Sequence, residues 1–180
     1  QVHYHHLWTM NPDGTGQQVY FGNQAPGGVF IDGQAIPGTR KIVFINSPDH
    51  GQNEHAGRVM IASEVGVPNA RWAVKTIASS YSQFRDPYPI SPREFLVAQG
   101  NQLLLLTDAG QTSVIYTGPQ IVHEPRVLQG RVREPVIPSA VELGQNIARL
   151  FVQDVYLGRN MGGLIMMLKS HCRMAAPSGE

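Results

Sequence analysis

Hydrophobic residues along this chain come in short runs that alternate with clusters of turn-forming residues. "LWTMNPDGTGQQVYFG" (7–22) has an apolar run, an Asp-Gly turn and a second apolar run, and "NQLLLLTDAGQTSVIYTG" (101–118) has the same layout. Short apolar runs bounded by Gly, Asp and Pro are typical of β-strands, and two such runs around one turn are typical of a hairpin. The pattern therefore predicts β-hairpins at both places.

The hairpin pattern recurs at a regular distance along the chain. "GRVMIASEVGVPNARWAVKTI" (57–77) is a looser third copy. The turn glycines Gly14, Gly66 and Gly110 are 52 and 44 residues apart. Sequence repeats of about 40–50 residues are typical of β-propeller blades. The spacing therefore favours a repeat protein over a single irregular β-domain.

Another predicted strand pair precedes two of the hairpins. These pairs are "GVFIDGQAIPGTRKIVFINS" (28–47) and "PYPISPREFLVAQG" (87–100). With its hairpin, each pair makes a unit of four strands, which is the content of one propeller blade. We therefore assign the outer half of one blade to 7–22, a full blade to about 28–77 and a second to about 85–118.

Residues 119–160 are predicted to hold the start of another blade. "ARLFVQDVYLG" (148–158) has the pattern of a strand, whereas "HEPRVLQGRVREPVIPS" (123–139), with three prolines, is typical of an extended crossing segment. A blade buries its faces only against neighbouring blades, and about three to four blades do not close a ring. We therefore expect an all-β fold, an incomplete β-propeller of about three to four four-stranded blades, which is a piece of a longer propeller.

Composition supports many short elements and excludes some partners. The chain has 19 Gly and 13 Pro, 42% hydrophobic and 15% charged residues, and a net charge of +1. That charge gives no reason to expect nucleic acid. No apolar run is long enough to span a bilayer. The single cysteine, Cys172, excludes an internal disulfide.

Four quoted stretches carry a resemblance to a known family. They are "HHLWTMNPDGTGQQVYFGN", "PGGVFIDGQAIPGTRKIVFINSPDHGQNEHAG", "DPYPISPREFLVAQGNQLLLLTDAG" and "VQDVYLGRNMGG". Together they resemble the middle domain of hydrazine synthase alpha subunit-like proteins, which belong with the TolB-like six-bladed propellers and their WD40-like repeats. The resemblance covers about residues 3–163. It implies a partial propeller domain at 1–163 and a divergent tail, disordered or truncated, at 164–180.

The resemblance also implies a function and a location. It implies a bacterial protein of the periplasm, or otherwise outside the cytoplasm, with c-type haem elsewhere in the full protein; no signal peptide is expected within these residues. Covalent haem needs C-x-x-C-H, and Cys172 stands alone in "SHCRM", so we expect no covalent haem in this chain. We therefore expect a non-catalytic scaffold or binding module. Its partners would be the remaining blades, the haem domains and other subunits of a haem oxidoreductase.

Two alternatives stay open. One is an interaction propeller that docks proteins or glycans without a redox role. The other is an enzyme that binds a metal with loop histidines. In "SPDHGQNEHAG" (47–57), Asp49, His50 and His55 lie in the loop between the second and third strands of a blade. His5 precedes the third strand of the preceding blade, so we expect all four on one face. Imidazole and carboxylate groups suit Zn, Fe or Cu.

A second candidate group is expected on the same face. "SQFRDPYP" (82–89) is interpreted as the loop between two blades, and it supplies Arg85, Asp86 and Tyr88. Tyr4 is added from the start of the chain. A tyrosine oxygen can be an axial ligand of haem, so Tyr4 or Tyr88 could face a haem held by another domain.

The remaining conspicuous residues are interpreted as structural. His3, His6 and His123 are interpreted as hydrogen-bonding residues, and Asp13-Gly14 and Asp108 with Gly110 as turn formers. Core positions are predicted for side chains that recur at matched points of the hairpins or that can fill space between blades: Val19, Tyr20, Val114, Tyr116, Trp8 and Trp72.

Overall fold

A computed structural model describes most of the first 144 residues. The described residues are 5–22, 28–48, 56–63, 71–79, 83–130, 132–142 and 144. The chain divides into two compact units, Gln1–Val141 and Glu142–Glu180, and every element below lies in the first. The predictions for Tyr4, Asp49, His50, His55, the strand at 148–158 and the tail at 164–180 lie outside the described residues.

The described residues are all-β, as predicted, apart from one short 3-10 helix at Arg71–Ala73. The strands are β1 Leu7–Thr9, β2 Gln18–Phe21, β3 Val29–Ala35, β4 Lys41–Ser47, β5 Arg58–Ser63, β6 Val74–Ala78, β7 Arg85–Pro89, β8 Glu94–Gln99, β9 Gln102–Thr107 and β10 Thr112–Thr117. Among these residues, no helix has the length and apolar character needed to cross a membrane.

The strands form three open antiparallel sheets whose order follows the chain. The first sheet is the hairpin β1-β2, the middle sheet is β3-β4-β5-β6, and the last sheet has the order β10-β9-β8-β7. Each four-stranded sheet is a meander, because every strand pairs with the next one in sequence. The predicted strand pairs are confirmed, and so is the hairpin at 7–22, whereas the turn around Gly66 lies outside the described residues.

One hydrophobic core lies between the middle and last sheets. β4 directs Val43 and Ile45 to this core, and β8 directs Phe95 and Val97 to it. Alternate residues of a strand point to opposite faces, so the same two strands also supply side chains to their other faces. The other members of the core are Ile36, Val59, Ile61, Ile77, Ala78, Phe84, Leu104 and Leu106.

A second core covers the opposite face of the middle sheet. Leu7 and Phe21 of the hairpin pack against Phe30, Phe44 and Ala62 of the middle sheet. The ring centroid of Phe30 lies 5.1 Å from that of Phe21 and 5.6 Å from that of Phe44. Both faces of the middle sheet are therefore covered, one by the preceding sheet in the chain and one by the following sheet.

Backbone hydrogen bonds join each sheet to the next. The amide of Phe30 donates to the carbonyl of His5 at 3.2 Å, and Gly57 and Phe84 exchange two bonds of 3.0 and 3.2 Å. In both cases a residue one or two positions before a strand, β1 or β5, meets the start of the following four-stranded sheet. At Gly57 a side chain does not fit, because a Cβ there would collide with the carbonyl oxygen of Asn46.

Four of the predicted core positions are wrong. Trp8 is 59% exposed and Trp72 is 71% exposed. Trp8 lies on the hairpin at one end of the stack, and Trp72 lies in the short 3-10 helix before β6. Val114 and Tyr116 are also exposed, because β10 is the outer edge of the last sheet. Val19 and Tyr20, by contrast, are half-buried.

Residues 119–142, which we call the crossing segment, contain no helix or strand where they are described. Near its start, the amide of Val122 donates to the carbonyl of Gly100 at 2.9 Å. At its far end, the carboxylate of Asp13 accepts bonds from the amide of Ala140 at 2.7 Å and the hydroxyl of Ser139 at 3.2 Å. The segment predicted at 123–139 is thus irregular where it is described, and the described part of 119–160 shows no strand of a further blade.

Candidate functional site

The first strands of the two four-stranded sheets share an irregularity. The pairing of β3 with β4 shifts register after Ile31, and the pairing of β7 with β8 shifts after Arg85. Asp32 has a φ of 54° and Asp86 a φ of 50° within these shifts. Positive φ is costly for most L-residues, and aspartate is among the few side chains that tolerate it.

Asp86 is the centre of a polar group on the last sheet. Its Oδ2 accepts a hydrogen bond from the backbone amide of Glu124 at 3.0 Å. The same oxygen lies 3.4 Å from Nδ1 of His123. The side chain of Asp86 is only 13% exposed, whereas that of His123 is 56% exposed. A mostly buried carboxylate thus holds the crossing segment and faces an accessible imidazole.

The crossing segment makes a second contact with β7. The guanidinium carbon of Arg126 lies 5.1 Å from the centre of the Tyr88 ring, and an Nη1 hydrogen of Arg126 is donated to the carbonyl of Pro125 at 3.0 Å. A cation over an aromatic face is attracted by the negative charge of the ring surface. Residues 123–126 therefore lie on β7 through both a carboxylate and an aromatic ring.

Backbone strain is concentrated at this group. Among the described residues other than glycine, Asp32, Gln83, Asp86 and Glu124 have positive φ. Three of these four lie at the Asp86 group: Asp86 is in β7, Gln83 is two residues before β7, and Glu124 is in the crossing segment. Such strain persists only where surrounding contacts impose it, and it is frequent at binding sites.

The pairing of His123 with Asp86 determines which hydrogen bonds and ligands the imidazole can accept. With a proton on Nδ1, His123 would present a donor to Asp86 and leave Nε2 available to a ligand or to a proton. Carboxylates orient imidazoles in this way in many metal sites. Within the described ranges, however, no three His, Cys, Asp or Glu side chains come close enough to hold a metal ion. The exposed imidazole of His123 and the guanidinium of Arg126 can make polar contacts with a partner molecule.

The predicted site residues have different outcomes. Arg85, Asp86 and Tyr88 were predicted to lie in a loop between blades, which is wrong, because residues 85–89 form β7. The bulge and the turn-rich local sequence explain the error, since "RDPYP" contains two prolines and an aspartate. His5 is described, but its backbone serves the link to Phe30, and it forms no metal group with other described residues.

Sequence reasoning missed the residues that complete the group. His123, beside Glu124, is interpreted as structural. Arg126 is interpreted as part of an extended segment with solvated edges, "RVLQGRVRE" (126–134), and contact with an acidic partner or haem propionates is only the weaker alternative. The sequence does contain a signal for the irregular strand at Asp86, because Phe84-Arg85-Asp86 repeats the spacing of Phe30-Ile31-Asp32. No comparable local signal marks His123, whose position depends on where the crossing segment lies.

A second polar group lies at the turns of the last sheet and has a structural role. Nε of Arg93 is 3.3 Å from Oδ2 of Asp108, and Nζ of Lys75 donates to the carbonyl of Asp108 at 2.9 Å. The turn that contains Asp108 is thereby attached to β6 of the middle sheet. The prediction that Asp108 forms a turn is confirmed, because the amide of Gly110 donates to the carbonyl of Thr107 at 2.9 Å.

Comparisons of the chain with protein-family models, with curated proteins and with solved structures found no match.

Proposed function

We propose that this chain is a propeller-type scaffold and binding module of a larger extracytoplasmic redox protein. The observation that carries the proposal is the covering of the middle sheet on both faces by its neighbours in the chain. A scaffold of this kind positions other domains and has no chemistry of its own.

Three features support the comparison of the sheets with propeller blades. Each four-stranded sheet is a meander in chain order. Each is joined to the preceding unit at the start of its first strand. Each also has an aspartate with positive φ in that strand. Repetition of packing, linkage and local conformation is characteristic of repeat folds, in which each unit contacts only its neighbours.

The binding face is the group around Asp86. It presents the exposed imidazole of His123 and the cation of Arg126, and Arg85 lies beside it on β7. Guanidinium groups bind carboxylates, including those of haem propionates, with directional hydrogen bonds. This charge supports a haem-bearing partner domain. The redox assignment itself comes from the resemblance to hydrazine synthase alpha subunit-like proteins.

The redox role is tested on the complete gene product. The full reading frame is expressed with the c-type haem maturation system, and covalent haem is detected by peroxidase staining after denaturing electrophoresis. We expect a stained product and C-x-x-C-H motifs outside residues 1–180. An unstained product without such motifs would contradict the redox role and favour an interaction propeller.

A metal analysis tests the alternative of a metal-dependent enzyme that uses the loop histidines. We expect the purified chain to contain no stoichiometric metal by mass spectrometry. The variant with both His50→Ala and His55→Ala is the test protein, and His123→Ala is the matched control outside that loop. Stoichiometric Zn, Fe or Cu that is lost only in the double variant would contradict the scaffold proposal and favour a metal-dependent enzyme.

A further inference from the structure

The outer edge of the last sheet is an exposed and uncharged β-strand. β10, "TSVIYT", pairs with β9 on one side, and no described strand pairs with its other side. All six of its residues are exposed, including Val114 at 56%, Ile115 at 52% and Tyr116 at 55%. An edge strand with exposed apolar side chains is a template for pairing with another chain.

The other edge strands of the four-stranded sheets carry features that oppose such pairing. β6 has Lys75, β3 has Asp32, and β7 has Arg85 and two prolines. Charges and prolines on edge strands discourage association between sheets. β10 has neither. Of the four edge strands of these two sheets, β10 is therefore the least protected against pairing with another chain.

The sequence of β10 is complementary to itself in antiparallel orientation. A two-fold axis between Val114 and Ile115 would place these two apolar residues opposite each other. The same axis would place Thr112 opposite Thr117 and Ser113 opposite Tyr116. Apolar pairs and hydroxyl pairs across antiparallel strands are stabilising, and no like charges meet because the strand has none. A second copy of the same strand is thus a suitable occupant.

We propose that the chain forms a two-fold symmetric dimer in which β10 of one copy pairs antiparallel with β10 of another. The last sheets of the two copies then form one continuous eight-stranded sheet. Ile115 is the extra residue of a bulge against β9, since Val114 pairs with Leu104 and Tyr116 with Leu103. A bulge increases twist, so the pairing stays short and the two copies dissociate on dilution. This inference depends on the sheet order and not on the proposed function.

Sedimentation equilibrium of the full chain over about 1–200 µM tests the dimer. We expect a monomer–dimer equilibrium for the wild type. Ile115→Lys introduces a charge at the centre of the interface and is expected to raise the dissociation constant by about tenfold or more. The matched control is Thr76→Lys, which adds the same charge at an exposed position of β6 and should leave the dissociation constant unchanged.

The same samples are checked for folding by circular dichroism. A second variant, Ser113→Lys, is expected to weaken the dimer as well, so the test does not depend on one substitution. A wild type that is monomeric over the whole range would overturn the proposal. So would a folded Ile115→Lys and a folded Ser113→Lys that dimerise as tightly as the wild type.

Discussion

Asp32 and Asp86 occupy equivalent positions in two consecutive sheets. Each follows a Phe-x pair, lies in the register shift of the first strand and has a left-handed φ, of 54° and 50° respectively. Two residues that repeat a costly conformation at matched places are evidence of two copies of one structural unit. The repeated Phe-x-Asp spacing of the sequence therefore corresponds to a repeated conformation in consecutive packed sheets.

Asp86 is expected to stabilise the attachment of the crossing segment. Asp86→Ala removes the acceptor of the Glu124 amide, and it places alanine at a positive φ. We expect a loss of about 1–3 kcal/mol in the free energy of unfolding, measured by urea denaturation. Asp86→Asn keeps an oxygen and a side chain that tolerates positive φ, so it should lose less. Equal losses in both variants would contradict this account.

Gly57 is expected to be intolerant of any side chain. Gly57→Ala would force a Cβ against the carbonyl of Asn46 and disturb both hydrogen bonds to Phe84. We expect a destabilisation of about 2–4 kcal/mol in urea denaturation. Gly130→Ala, in the crossing segment, is the control because the space around Gly130 is open. If Gly57→Ala were as stable as Gly130→Ala, the close approach at Gly57 would be wrong.

The difference in burial between Phe44 and Trp72 is expected to give their alanine variants very different stabilities. Phe44 has no exposed surface and packs between the hairpin and the middle sheet, whereas Trp72 is mostly exposed. Phe44→Ala should cost about 3–5 kcal/mol in the free energy of unfolding. Trp72→Ala should cost less than about 1 kcal/mol. Urea denaturation of both variants measures these costs. Similar costs for the two variants would contradict the packing of the hairpin on the middle sheet.

Asp13 is expected to make the stability of the fold pH-dependent through its contacts with the hairpin turn and with the crossing segment. Hydrogen bonds from the side chain and then the backbone of Thr15, followed by the amide of Ala140, hold the pKa of Asp13 far below its ordinary value of 3.8. A carboxyl with a lowered folded pKa stabilises the fold fully above its ordinary pKa. That contribution is lost progressively as the pH falls below the ordinary value and through the folded pKa.

The test compares the wild type with Asp13→Asn, in which one carboxylate oxygen becomes an NH₂ group. We expect the wild type to be more stable at about pH 7 and the difference to shrink below about pH 4. Urea denaturation across this pH range measures it. A difference that stays constant from neutral to acid pH would show that the charge of Asp13 does not stabilise the fold.

The hairpins were predictable because their signals are local. An apolar run, an Asp-Gly pair and a second run decide the first hairpin, and in the structure the amide of Thr15 donates to Oδ1 of Asp13 at 2.9 Å. Gly14 takes a φ of 82°, which glycine adopts without cost. Such features depend on a few consecutive residues. They can be read before any tertiary contact is known.

The errors concern residues whose surroundings depend on distant parts of the chain. Trp8 and Tyr116 have the apolar character of core residues, but each lies on a sheet at one end of the stack. His123 reaches Asp86 only because the crossing segment returns to β7, and the Glu124–Asp86 bond joins residues 38 apart in the sequence. Sequence periodicity predicts which residues form strands. It does not determine which sheet has a neighbour or where an irregular segment lies.

The most direct test of the stacked sheets is the nuclear Overhauser effect between the amide protons of Gly57 and Phe84 in the labelled full chain. These residues exchange two backbone hydrogen bonds across the junction of the middle and last sheets. In such an antiparallel pair the two amide protons face each other closely. We predict a strong cross-peak, as strong as those between β4 and β5. Its absence, with the cross-peaks inside each sheet intact, would contradict the stacking on which the scaffold proposal rests.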